Sequence, residues 1–274
     1  MSLRKNEPAL FAWYTADEPE GYGDTPQVLR EAYRIIKEID PDHPVVILTN
    51  APGMLPHYKG CADVIMADPY PIPGHSLGLV AQWTDAAVAA AKQNGQAVWM
   101  TPQGFGWRDL GGDSPRPSPT REELTNMLYT CFIHGAKGII WWPYSTPRQN
   151  YWPHFQKMGR QCRFMEPWIL HGKDPKGMPA GAQEAGSVHW RAWEHDGKIL
   201  ILAANLGRQS AVPGLPVPPG TKQVRLPFDD DRLIGPPADA WPPYVKDGKL
   251  TVAFAPVQAT VFLIVEQAGR SGEG

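Results

Sequence analysis

Two adjacent carboxylates, Asp17 and Glu18, lie between the apolar run Phe11-Ala12-Trp13-Tyr14 and Pro19. A strand ending in paired acids presents them at the carboxyl edge of a sheet or barrel, where α/β folds build their clefts. Two neighbouring carboxyl groups can divide acid and base roles, the chemistry that cleaves a glycosidic bond. The same residues also suit a solvated acidic turn leading the next helix. Asp68, in Asp68-Pro69-Tyr70-Pro71, is a third carboxylate after an apolar run. It reads as a base or orienting group, or as the cap of a proline-rich turn. Asn50, Tyr70 and Gln103 offer hydrogen-bonding groups for hydroxyls. Trp107, Trp141 and Tyr144 could floor a site for a flat ligand, with core packing as the alternative. Glu20 reads as solvent-facing.

Such residues need a scaffold that gathers strand ends on one edge. Residues 9–16 have the continuous apolar character of a buried strand. Thr25 and Pro26 then suit the cap and first turn of a helix striped by Leu29, Ala32, Tyr33 and Ile36 and stopped by Asp40-Pro41. Further strands are expected at 44–49, 63–67, 97–101 and 138–142. Helices are expected at 79–93, stopped by Asn94-Gly95, from the box Thr120-x-x-Glu123 to His134, and at 155–170. Strand and helix alternate without hairpins, which predicts parallel strands with right-handed crossovers. Asp17, Glu18, Asn50, Asp68, Tyr70, Gln103, Trp141, Trp142 and Tyr144 would then share one edge.

The pattern changes near residue 183. Residues 187–194 alternate, Asp196-Gly197 is a hairpin turn, and 198–205 return. Later strands fall at 223–226, 250–254 and 258–265, with loops at 213–219 and 235–243. The expected fold class is α/β: a partial TIM-barrel-like parallel sheet of about five β/α units, then a small all-β antiparallel sandwich. The expected division is a barrel-like catalytic domain over 1–178, a β-sandwich accessory domain over 183–267, and a disordered tail over 268–274.

Composition narrows the function classes. A net charge of -2 gives no basic footprint for nucleic acid or an anionic membrane. No apolar run is long enough to span a bilayer. Cys61, Cys131 and Cys162 make neither a disulfide framework nor a metal motif. His57, His75 and His134 are scattered, so no metal and no cofactor is expected, and His134 reads as a dipole partner beside the Gly135 cap. Without a Gly-x-Ser-x-Gly elbow, an esterase reading is weak. The start Met1–Asn6 lacks the apolar core of a signal peptide, which leaves the compartment unassigned and a secreted parent protein open.

The stretch Trp13-Tyr14…Asp17-Glu18-Pro19, with the later strand ends at Asn50, Asp68-Pro69-Tyr70, Gln103 and Trp141-Trp142, resembles the second half of a glycoside hydrolase (β/α)8 barrel, strands four to eight. The final sandwich resembles the accessory domain that commonly follows such barrels. The resemblance implies a glycosidase acting on a carbohydrate, with Glu18 as acid/base. Two departures stand out. The seventh strand would offer Gln103 where the large retaining clan has a nucleophilic Glu. The Asp17-Glu18 pair instead resembles that of N-acetylhexosaminidases, whose substrate supplies the nucleophile and whose Asp orients the acetamide. The second departure is that five parallel strands cannot close an eight-stranded barrel. The alternative function is therefore an inactive carbohydrate-binding or structural fragment of such a barrel. In either case a homo-oligomer is expected, a second chain covering the open edges.

Overall fold

Trp13–Asp17 (β1), Val45–Thr49 (β2), Val64–Ala67 (β3), Ala97–Met100 (β4) and Gly138–Ile139 (β5) form one parallel sheet in chain order, in a computed structural model that describes residues 4–110, 117–142, 151–229, 232–235 and 242–267. Pro19–Tyr22 (α1), Pro26–Ile39 (α2), Gly78–Asn94 (α3), Arg121–Ile133 (α4) and Trp152–His171 (α5) connect or follow the strands. β2 and β3 are buried at every position, which explains their unbroken apolar sequence. The helix boundaries follow the local chemistry. Thr25 Oγ1 accepts the Val28 amide, and Gly95 takes the left-handed conformation (φ 73°) that ends α3. Thr120 and Glu123 complete a reciprocal capping box.

The fifth strand is shorter than expected. Its ladder stops at Ile139, and beyond it the Ile140 amide donates to the Met100 carbonyl (3.0 Å) and an isolated bridge joins Gln103 to Trp142. Gly138 is required there, because a Cβ would come within 2.5 Å of the Trp99 ring on β4.

Among the described residues, nine strands follow. Gln183–Ala185 (β6), Val188–His195 (β7), Lys198–Asn205 (β8), Gly214–Pro216 (β9), Thr221–Leu226 (β10), Arg232–Ile234 (β11), Tyr244–Lys246 (β12), Lys249–Thr251 (β13) and Ala259–Gln267 (β14) are all antiparallel. They form a six-stranded sheet, β11-β10-β14-β8-β7-β6, and a three-stranded sheet, β12-β13-β9. The two sheets enclose a core that includes Trp190, Ile199, Ile201, Leu215, Leu250 and Phe262. The opposite face of the larger sheet puts Trp193, Leu200, Leu202 and Leu263 into the core shared with α3, α4 and α5. The expected hairpin forms, with Asp196 (φ 47°) and Gly197 (φ 69°) both left-handed. The expected tail at 268–274 and most of the loop at 235–243 lie outside the described residues.

Polar groups also bridge the two parts. Asn126 of α4 is fully buried and donates to the carbonyls of Asn205 (2.9 Å) and Val257 (3.0 Å). His134 is more than a dipole partner. Its Nδ1 meets Asp85 at 2.8 Å, and its Nε2 meets Nδ1 of His189 on β7 at 3.0 Å. Glu184 stands on the far side of His189, 3.8 Å from its Nε2.

Burial, then the neighbouring His134, holds His189 below its ordinary value of 6.5, against the weaker pull of Glu184 and Asp85. A histidine depressed in the folded state contributes stability above about pH 6.5 that is lost as pH falls through its folded value, because the unfolded chain takes up the proton first. Between about pH 7 and about pH 5 the parent's urea midpoint should therefore lose ground relative to that of His189→Gln, whatever the other groups add to both. His154 is depressed by burial with the same sign, so part of the slope should survive. Equal slopes in the two proteins would refute the assignment to His189.

Candidate active site

The carboxyl ends of β1 to β5 open into a cleft of about 1020 Å³. Its wall includes Asp17, Glu18, Asn50, Asp68, Tyr70, Trp107, Trp141 and Trp142, so these sequence-expected residues are brought together. Tyr144 lies outside the described residues.

Neighbouring strand residues normally point to opposite faces, and two local features overcome this. β1 carries an extra residue between Tyr14 and Ala16, a bulge against β2. The bulge brings Tyr14 and Asp17 together although they are three residues apart, and the Tyr14 hydroxyl donates to Asp17 Oδ1 at 2.7 Å. Glu18 then leaves the strand in the left-handed region, at φ 45° and ψ 57°. A non-glycine residue pays about 1–2 kcal/mol for that conformation. It is held there from both sides: its amide donates to the Leu48 carbonyl (3.0 Å) and its carbonyl accepts from the Gly21 amide (2.9 Å). Strain that the surroundings over-determine is characteristic of functional positions. Asp17 and Glu18 thereby reach the same cleft.

Asp68 ends β3 and is 1% exposed. Neither of its oxygens has a hydrogen bond of ordinary geometry. Burial, and after it the side-chain contact with Glu18, push its carboxyl up to about 8 against an opposing contribution from Tyr70. A carboxyl group in this setting keeps its proton where an exposed one is charged. Burial also raises the Tyr70 phenol far above its usual range, with Asp68, Glu18 and Asp17 adding to the effect. Tyr14 is raised by burial and by its bond to Asp17, with smaller contributions from the other carboxylates. Both phenols therefore remain donors facing a group of acids.

Aromatic rings complete the wall. Tyr70, Phe105 and Trp107 meet edge to face, with centroids 5.0 to 6.4 Å apart. Trp141 stacks on Phe155 of α5 at 5.1 Å, and Trp142 is exposed, so of the pair Trp141 is the one that packs on a helix. The floor is the inner face of the sheet, with Val46, Leu48, Met66 and Trp99. Residues 9–12 line it from above, and Phe11 stacks on Trp99 at 5.4 Å.

Two expectations are corrected. Gln103 is fully buried and does not line the cleft. Its Oε1 accepts the Ile72 amide, and its Nε2 donates to the carbonyls of Ile72 and Phe105 (2.9, 2.9 and 3.1 Å). It ties two loops together and has no free donor for a ligand. Glu20 is half-buried and accepts hydrogen bonds from Thr49 and Tyr58, because α1 turns it back toward β2. Tyr14 was missed because strict alternation along β1 hides its meeting with Asp17. Phe105 was missed because its sequence neighbours mark only a glycine-rich loop.

No protein-family model matches the chain, and no curated protein matches its sequence. Solved structures do match. A GH30 endoxylanase from Clostridium papyrosolvens C71 aligns over 96% of this chain and 68% of its own, with TM-score 0.55 and 17% identity. AmyP in complex with maltose aligns over 99% of this chain and 67% of its own (TM-score 0.58, 9% identity). The α-amylase from Geobacillus thermoleovorans, complexed with acarbose, aligns over 88% and 57% (TM-score 0.56, 13% identity). The resemblance is to glycoside-hydrolase folds. It is distant and partial: the chain spans between 57% and 68% of these three structures. At these identities the likeness is one of fold, a barrel-like parallel sheet followed by antiparallel sheets.

Asp68 yields a test of the site's electrostatics. Its folded value lies above the ordinary 3.8, so its contribution to stability is complete below about pH 3.8 and is lost as pH rises toward about 8. Asp68→Asn removes that loss. The variant should melt higher than the parent by at least about 2–4 °C near pH 8, with a smaller gain near pH 4. A variant that is less stable near pH 8 would show that Asp68 serves the fold as a charged group.

Proposed function

We propose that this chain hydrolyses O-glycosidic bonds at the strand-end cleft, by carboxylate general acid/base catalysis on a carbohydrate substrate. The observation that carries the reading is the meeting of Asp17, Glu18 and Asp68 in one aromatic-walled cleft, with Asp68 held protonated beside Glu18. Carboxyl groups whose surroundings separate their proton affinities are how one site supplies both acid and base. The fold likeness to glycoside hydrolases agrees with it.

Glu18 is assigned as the acid/base. With the proton that Asp68 shares with it, Glu18 protonates the leaving oxygen as the bond from that oxygen to the anomeric carbon breaks. As carboxylate, it then takes a proton from the water that completes hydrolysis. With Gln103 locked in the loop clamp, no side chain at the end of β4 is assigned as nucleophile. A substrate-assisted route needs none: the acetamido oxygen of an N-acetylated sugar attacks the anomeric carbon, and Asp17 accepts the acetamido N–H. Tyr14 positions Asp17 through its hydroxyl. Asp68 and Tyr70 act as donors toward the carboxylates, while Asn50, Trp107 and Trp141 contact the sugar.

A second reading has its own support. β1 and β5 are outer strands of the parallel sheet, and Phe11, Ile140 and Trp142 are exposed beside them. Such an edge suits a chain that binds carbohydrate without turnover and pairs with a second copy. A panel of aryl glycosides including an N-acetylglucosaminide separates the readings. Under the enzyme reading the parent releases the chromophore, and Glu18→Gln loses about 10²–10⁴ in rate with its circular dichroism unchanged. Sugar binding without release by the parent favours the second reading, and a variant as active as the parent rules out the role given to Glu18.

A further inference from the structure

The strand-end cleft changes character along its depth. Side chains of one strand that share a face lie two residues apart. On β2 the cleft-facing series runs Val46, Leu48, Asn50, and on β3 it runs from Met66 to Asp68. Polar groups thus sit at the carboxyl ends, and the inner face of the sheet behind them is apolar. We propose that the substrate is a glycoside with a neutral apolar aglycone, an alkyl or aryl group, which lies along this inner face while the strand ends hold the sugar. The inference rests on the strand-end reading for the sugar and goes beyond it in naming the leaving group.

Size comes first. A cleft of about 1020 Å³ is at the upper end of ligand sites, which run from about 300 to about 1000 Å³, so one sugar ring at the strand ends leaves most of it open. From Asn50 back to Val46 the strand runs roughly 13 Å. The open part is bordered by exposed apolar side chains. Phe11, Ile140 and Trp142 line it and are 71%, 45% and 47% exposed. Phe11 stacks on Trp99 and so carries the apolar surface across from the start of β1 to β4. Apolar groups gathered in one concavity mark a ligand groove.

The chemistry of the lining selects the aglycone. Among the described residues, no lysine or arginine lines the cleft, whereas Asp17 and Glu18 do. That disfavours a carboxylated, sulfated or phosphorylated leaving group. A second sugar fits poorly as well. Val46 and Leu48 offer no hydrogen-bonding group, and the Met66 sulfur already accepts from the Thr101 hydroxyl (3.7 Å). Hydroxyls pressed against that floor would lose water without gaining partners. An alkyl or aryl group loses nothing there, and it leaves the glycosidic oxygen at the strand ends, within the part of the cleft that Glu18 lines.

The test is calorimetric titration of the full chain with the methyl and hexyl forms of N-acetyl-β-D-glucosaminide and of β-D-glucoside, and with 1-hexanol. For at least one head group the hexyl form should bind at least about tenfold more tightly than the methyl form, because five more methylenes leave water. It should also bind more tightly than hexanol. Phe11→Ser and Ile140→Ser change exposed positions, so the fold is spared, and each should narrow the hexyl-to-methyl ratio at least about threefold. Equal affinities for hexyl and methyl forms of both head groups would overturn the proposal. So would hexanol binding as tightly as the hexyl glycosides, or a ratio unchanged in both variants. A doubled mass by light scattering, lost in Ile140→Ser and accompanied by no chain-length gain, would give the apolar face to a second copy instead. Glu18→Gln, titrated alongside, should keep the gain, since binding needs no turnover. A gain without chromophore release by the parent therefore upholds this inference and sinks the catalytic one, and release without a gain does the reverse.

Discussion

The architecture depends on β8 being apolar on both faces. Ile199 and Ile201 point into the core between the two antiparallel sheets, while Leu200 and Leu202 point into the core shared with α3, α4 and α5. Each such side chain contributes about 1.5–3 kcal/mol by leaving water. One strand therefore belongs to two cores, and the barrel-like part and the sandwich lean on the same wall. The buried amide of Asn126 fixes their register, since its two bonds reach carbonyls on separate segments of the antiparallel part. The helices that support the parallel sheet are thus backed from outside, and the strand ends that form the cleft keep their spacing.

Within the cleft, the organising tension is between burial and charge. Asp68 sits where water cannot solvate it, beside Glu18 and under Tyr70. A side chain chosen for stability at that position would be an amide or an apolar group. The carboxyl group is kept at a cost, like the left-handed backbone of Glu18 two strands away. Two departures from low energy thus meet in one cleft.

Much of this was legible in the sequence where one local rule decided the outcome. The Thr25 cap, the Thr120–Glu123 box and the Asp196-Gly197 hairpin formed as their chemistry requires. The strand-end positions of Asp17, Glu18, Asn50 and Asp68 followed from the alternation of strand and helix. What escaped depended on partners distant in sequence. Gln103 looks like an available amide until Ile72 and Phe105 close around it. Glu20 looks solvent-facing until α1 folds it toward Thr49 and Tyr58. His134 looks isolated until β7 brings His189 beside it. Tyr14 was hidden for a different reason, since a single bulged residue changes which side chains share a face.

The Gln103 clamp has a consequence for recognition. Its amide group joins the loop after β3 to the loop after β4, and Trp107 adds a further bond from its indole N–H to the Ile72 carbonyl at 2.8 Å. Tyr70, Phe105 and Trp107 are carried on those loops and pack against one another. The aromatic wall is therefore one preorganised body. A ligand settling against it finds the rings already in place, and little conformational entropy is left to be lost on that side of the cleft.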